Sequence, residues 1–82
     1  GDGEIYVWVK NLSSAELLLV ASQYRLLDTD EKPITHRVDA ELQGPLASGG
    51  IAYGKLILDD KTRPSRLVLE HPKAGTIEKW FP

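Results

Sequence analysis

The chain of 82 residues contains no cysteine and no methionine, and aromatics make up only 7% of it. Without cysteine there is no disulfide framework, no zinc–thiolate site and no thiol nucleophile. An extracytoplasmic location is still open, since many secreted bacterial and archaeal domains carry none. No stretch approaches the roughly 18–20 apolar residues that a membrane-spanning helix requires. Positive charge is not in excess: ten Lys and Arg face twelve Asp and Glu, for a net charge of −2. Phosphate neutralisation needs clustered cations, so nucleic acid is excluded as an expected partner. The chain opens Gly1-Asp2-Gly3. With no initiator methionine, it reads as an excised or processed fragment of a longer protein.

What is present is ordinary for a globular domain: 41% hydrophobic and 27% charged residues, a balance unlike that of a disordered chain. At this length one domain is expected, spanning residues 1–82, with an efficient core. Its organisation follows from short alternating segments separated by turn signals. Residues 4–10, EIYVWVK, place Ile5, Val7 and Val9 on one face of a strand and Tyr6, Trp8 and Lys10 on the other. Asn11-Leu12-Ser13-Ser14 is a turn. Residues 15–21 could form a short helix on propensity alone, but the flanking strands and the short turn favour a second strand with Leu17 and Leu19 inward; 23–27 read as a third with Tyr24 and Leu26 on one side. The run DTDEKP closes a hairpin or a short loop, and Pro33 cannot donate to a central ladder.

Residues 34–42 alternate less cleanly and read as an edge strand or a crossover between sheets. Residues 43–50, QGPLASGG, form the strongest turn signal. A strand follows from Ile51, with Ala52, Gly54, Leu56 and Leu58 opposed to Ile51, Tyr53, Lys55 and Ile57. Gly54 within it implies a bulge or a close backbone approach. RLVLE at 66–70 is a further strand, His71 through Gly75 a loop, and TIEKWF the last strand. The expectation is an all-β, immunoglobulin-like antiparallel β-sandwich of about seven short strands.

Several landmarks together resemble a known family. They are Val9-Lys10-Asn11 ending the first strand, Tyr24 through Asp30 as an aromatic-x-Leu strand entering an Asp-rich turn, and Pro45, Gly49 and Gly50. The Gly54-x-Leu56-x-Leu58 strand completes the set. In this order they resemble the telokin-like, immunoglobulin-type domains of secreted or lipid-anchored bacterial and archaeal proteins, many of them of unknown function. The turn departs from the family's usual Pro-Gly-Glu by reading Pro-Leu-Ala-Ser-Gly-Gly. The resemblance implies an extracytoplasmic, non-enzymatic module and supplies no catalytic residue.

The candidate sites follow from residue chemistry. Asp28, Asp30 and Glu31 share one turn, with Asp59 and Asp60 in another, and carboxylate oxygens on a loop suit calcium. The glycine and the distal glutamate of an EF-hand are missing, and Asp is itself a turn former. His36 and His71 have no partner at a metal-binding or catalytic spacing. No Gly-x-Ser-x-Gly elbow is present, and an enzyme is not expected. Lys55, Lys61, Arg63 and Arg66 read as a local basic cluster guarding a sheet edge. Tyr6, Trp8, Tyr53 and Trp80 are the candidate partner surface, since aromatics on an open sheet face suit a protein or glycan contact. The expected function is a non-catalytic, extracytoplasmic interaction module. It would recognise a protein or cell-envelope component through a sheet face or an edge strand, with self-association open to it and no membrane span in this segment. The alternative is a small-ligand or calcium-binding domain using the acidic turns.

Overall fold

The computed structural model describes residues 3–59 and 62–80, with the side chains of Ile77, Lys79 and Trp80 outside that description. Strand β1 spans Glu4–Lys10, as its β-branched and aromatic alternation dictates. Seven further strands follow: β2 Leu17–Leu19, β3 Tyr24–Leu27, β4 His36–Val38, β5 Gly44–Leu46, β6 Ile51–Leu58, β7 Arg66–His71 and β8 Gly75–Trp80. Two single 3-10 turns, Ala21–Gln23 and Ala40–Leu42, interrupt them. The chain is all-β, and every strand pairing is antiparallel. Among the described residues no helix is long and apolar enough to cross a membrane.

The strands form three sheets in the orders β1-β6-β4, β3-β7-β8 and the ribbon β2-β5. The inner faces of the two larger sheets share one core. Tyr24 and Leu26 of β3, Leu67 and Leu69 of β7 and Leu56 of β6 are buried there with Ile34 and Leu42. Ile5, Val7 and Val9 of β1 and Ala52 and Leu58 of β6 pack against them half-buried. This is the two-layer logic of a β-sandwich, in which each sheet hides one face.

The structure differs from the sequence expectation in countable ways. Among the described residues there are eight strands rather than about seven, because the Gly-Pro segment read wholly as turn contains β5. Proline is tolerated there because the ribbon has only two strands, so its lost donor breaks no central ladder. The 15–21 strand is cut to three residues, although Leu17 and Leu19 are buried as expected. The 34–42 segment crosses between sheets: Ile34 N donates to Leu26 O beside β3, and β4 then pairs with β6. Gly54 does mark a close approach. A Cβ there would meet Leu42 Cγ at 3.0 Å and Asp39 Cβ at 3.1 Å, so glycine lets the Ala40–Leu42 turn press on β6. His71, read as loop, is instead the buried last residue of β7. Its Nδ1 accepts from the amides of Lys73 and Ala74 at 3.0 and 3.3 Å, which leaves Nε2 to donate to Leu18 O at 2.9 Å.

Candidate functional site

The alternation of β1 and β6 decides which residues meet on the outer face of the β1-β6-β4 sheet. Register pairs Trp8 with Tyr53, Tyr6 with Lys55, Lys10 with Ile51 and Glu4 with Ile57. All eight side chains project away from the core, since successive strand residues point to opposite faces. Trp8 is 63% exposed, and Tyr6, Ile51 and Tyr53 are each 59% exposed. The Tyr6 and Tyr53 rings stack with centroids 6.4 Å apart and planes 21° from parallel. Three of the four aromatics singled out in the sequence therefore form one surface. Trp80 ends β8 in the other sheet, and its side chain lies outside the described residues.

The same face carries its own electrostatic anchor. Lys55 Nζ donates to Glu4 Oε2 at 2.6 Å across the two strands. That hydrogen bond and the attraction behind it hold the Glu4 carboxyl below its ordinary range and raise the Lys55 ammonium above its own. Arg37 of β4 lies 3.8 Å from Asp59. The face is thus an aromatic and aliphatic strip with charged flanks. Trp and Tyr in such a setting offer large, stiff contact areas at small entropic cost.

The acidic turn is organised differently. Asp28 Oδ1 accepts from the amides of Asp30 and Lys32 at 2.8 and 3.0 Å, and Asp28 N donates to Lys32 O. Glu31 takes the left-handed conformation at φ 62° and pairs through its carboxylate with Arg66. Arg66 also reaches Glu78 at 3.3 Å. Of the oxygens proposed for calcium, Asp28 Oδ1 thus binds backbone amides and the Glu31 carboxylate binds a guanidinium. Among the described residues no three His, Asp or Glu side chains converge as a metal-ligand group. Asp60 and Lys61 lie outside the described residues. Of the basic residues grouped in the sequence, Lys55 belongs to the β1-β6-β4 sheet and Arg66 to the β3-β7-β8 sheet, each with carboxylate partners.

Several other polar side chains hydrogen-bond within the fold. Both ring nitrogens of His36 face carbonyls, Ile34 O at 2.8 Å and Tyr24 O at 3.0 Å. Ser13 Oγ bonds Asn11 Oδ1 and Ala15 O, and Ser48 Oγ bonds Ser13 O. Sequence reasoning missed one feature, an open groove of about 390 Å³ beside the β2-β5 ribbon. Val9, Leu17, Leu19, Leu46 and Leu69 form its apolar walls, and among the described residues it also holds the exposed Lys10 and Lys73 and no acidic residue. Its residues come from five strands and two turns, so no local pattern announces it. Compared with known proteins, the chain matches no family model, no curated protein and no solved structure.

Proposed function

We propose that this chain is a non-catalytic interaction module of immunoglobulin-like sandwich type that works outside the cytoplasm. It recognises a protein or envelope component through the outer face of β1 and β6. One observation carries this reading: Tyr6, Trp8, Ile51 and Tyr53 are each well over half exposed on one continuous sheet face. Scattered apolar side chains need no explanation, but a contiguous aromatic strip of this kind marks a contact surface. The resemblance to telokin-like domains supports the location and the absence of chemistry.

The test is co-sedimentation with washed envelope material from the source cell, before and after that material is treated with protease. The wild-type chain is expected to sediment, and the combined Tyr6→Ala, Trp8→Ala, Tyr53→Ala variant to stay in solution while still folded. Equal behaviour of the two proteins would remove the face as the recognition surface. Loss of binding after protease treatment identifies a protein partner, and its persistence identifies another envelope component.

A second reading, small-ligand binding, is supported by the groove. Its volume lies within the range of ligand pockets. Apolar walls beside two lysines without acids match a long-chain carboxylate. Lauric acid titrated into the protein should shift the Leu17 and Leu46 methyl resonances, and Lys73→Glu should weaken binding. No shift at saturating lauric acid would end this reading.

A further inference from the structure

Among the described residues β1 pairs on one side only, with β6, and its main-chain geometry can be read from two hydrogen bonds. Leu58 N donates to Gly3 O and Asn11 N to Gly50 O, in the same register that sets Val7 against Gly54. Bonded and non-bonded pairs alternate along an antiparallel ladder. The peptide groups of Ile5, Val7 and Val9 therefore turn toward β6, and those of Glu4, Tyr6, Trp8 and Lys10 turn to the open side. Among the described residues no strand pairs with that side. The edge runs for seven residues with no proline, no glycine and an unbroken register. Natural sheets seldom leave such an edge bare. The β4 edge of the same sheet, by contrast, is only three residues long.

We propose that a second copy of this chain occupies the β1 edge, the two β1 strands pairing antiparallel about a two-fold axis through Val7. The sequence EIYVWVK is self-complementary in that arrangement. Glu4 lies opposite Lys10 of the second copy, Tyr6 opposite its Trp8 and Ile5 opposite its Val9, and the reverse holds on the other side. The residues whose peptide groups face away from β6 are the ones this register brings into bonded pairs, giving about eight main-chain hydrogen bonds. Val7 meets Val7 at a non-bonded position, where side chains approach most closely. Ile5, Val7 and Val9 are only half-buried in the single chain, so pairing continues both cores past the strand that now ends them. On the outer face the two aromatic strips become one.

Charge selects this register over its neighbours. A slip of two residues one way sets Tyr6 against itself and carries Lys10 past the end of the opposing strand. A slip the other way sets Trp8 against itself and does the same to Glu4. Only the Val7-centred pairing matches both opposite charges, and opposed pairs of this kind stabilise a ladder while like pairs destabilise it. The interface is isologous and closes on itself, producing a dimer and no filament. This inference goes beyond the recognition face and does not depend on it, because that face is exposed in one copy and in two.

Sedimentation equilibrium on the intact chain, from micromolar to millimolar concentration, reads the result. The wild-type mass should rise to twice 9.1 kDa, with amide exchange at Tyr6, Trp8 and Lys10 slowing as concentration rises. Lys10→Glu sets Glu against Glu, and Glu4→Lys sets Lys against Lys. Each alone should weaken association roughly tenfold or more. An equimolar mixture of the two variants restores both opposite pairs and should form a heterodimer, which also shows that each variant is folded. A wild-type chain that stays monomeric overturns the proposal. So does a Lys10→Glu chain that dimerises as tightly as wild type, or a mixture that associates no better than its components. Envelope co-sedimentation is a separate readout, so either conclusion can fail while the other stands.

Discussion

Replacing Asn11 by Asp changes one amide nitrogen to an oxygen and should cost a large part of the stability of this domain. Asn11 is 1% exposed, and its amide is fully used. Nδ2 donates to Ala15 O at 2.8 Å and to Leu46 O at 2.9 Å, while Oδ1 accepts from Ser13 N at 2.9 Å and Ser13 Oγ at 2.7 Å. The backbone of Asn11 is engaged as well, with Gly50 O and Gly49 N. The residue therefore ties the end of β1 to its own turn and to the Leu46–Gly50 hairpin. Aspartate keeps the shape and the bonds from Ser13. It loses two donated bonds worth about 1 kcal/mol each and leaves two carbonyls facing a carboxylate. Desolvation of that buried charge adds to the loss. The sum is about 3–5 kcal/mol at neutral pH, against a total of about 4–12 kcal/mol expected for a chain of this length.

The carboxyl introduced at position 11 must have a folded-state pKa above its unfolded value of about 3.9, since its surroundings disfavour the charge. The penalty is then full above the folded pKa and shrinks as pH falls toward the unfolded one. Urea unfolding followed by far-UV circular dichroism at neutral and acidic pH measures both quantities. An Asn11→Asp protein within about 1 kcal/mol of wild type at pH 7 would refute the assignment of Asn11 as the hub of this end of the fold.

Three further outcomes follow from the same structure. Tyr24 Oη donates to Leu42 O at 2.7 Å in the core, so Tyr24→Phe orphans a buried carbonyl and should cost about 1–2 kcal/mol by urea unfolding. Burial pushes the Tyr24 phenol up to about 12, which means that wild-type stability is lost as pH rises from 10 toward 12, and the Phe variant should lack that component. Gly54→Ala drives a methyl into Leu42 and Asp39, and should lower stability by about 1–3 kcal/mol in the same assay. Because Lys55 holds the Glu4 carboxyl below its ordinary range, that pair stabilises above the usual carboxylate pKa and the gain is lost as pH falls through the lowered one. Glu4→Gln should accordingly flatten the acid limb of the melting-temperature profile.

The period-two pattern of EIYVWVK determined the extent of β1 and the side on which Tyr6 and Trp8 stand, because pleat geometry is local. The same parity put Tyr53 and Lys55 on one face of β6 and Leu56 and Leu58 on the other. Leu17, Leu19, Tyr24 and Leu26 were legible as core for that reason. Turn chemistry marked Asp28, whose carboxylate caps its own loop, and Gly54, whose missing Cβ admits a neighbouring turn.

What no local pattern could decide was partnership. That β1 pairs with β6, some forty residues on, is what brings Tyr6 onto Tyr53 and Glu4 onto Lys55. β5 is a strand because β2 lies beside it, in spite of its Gly-Pro sequence. His71 is buried because Leu18 offers a carbonyl from the β2-β5 ribbon, and Asn11 is buried because Leu46 does the same. The groove exists only where all these strands meet. Alternation tells a residue which way to face, but the free energy of facing that way comes from whatever the rest of the chain places opposite, and only the tertiary structure supplies it.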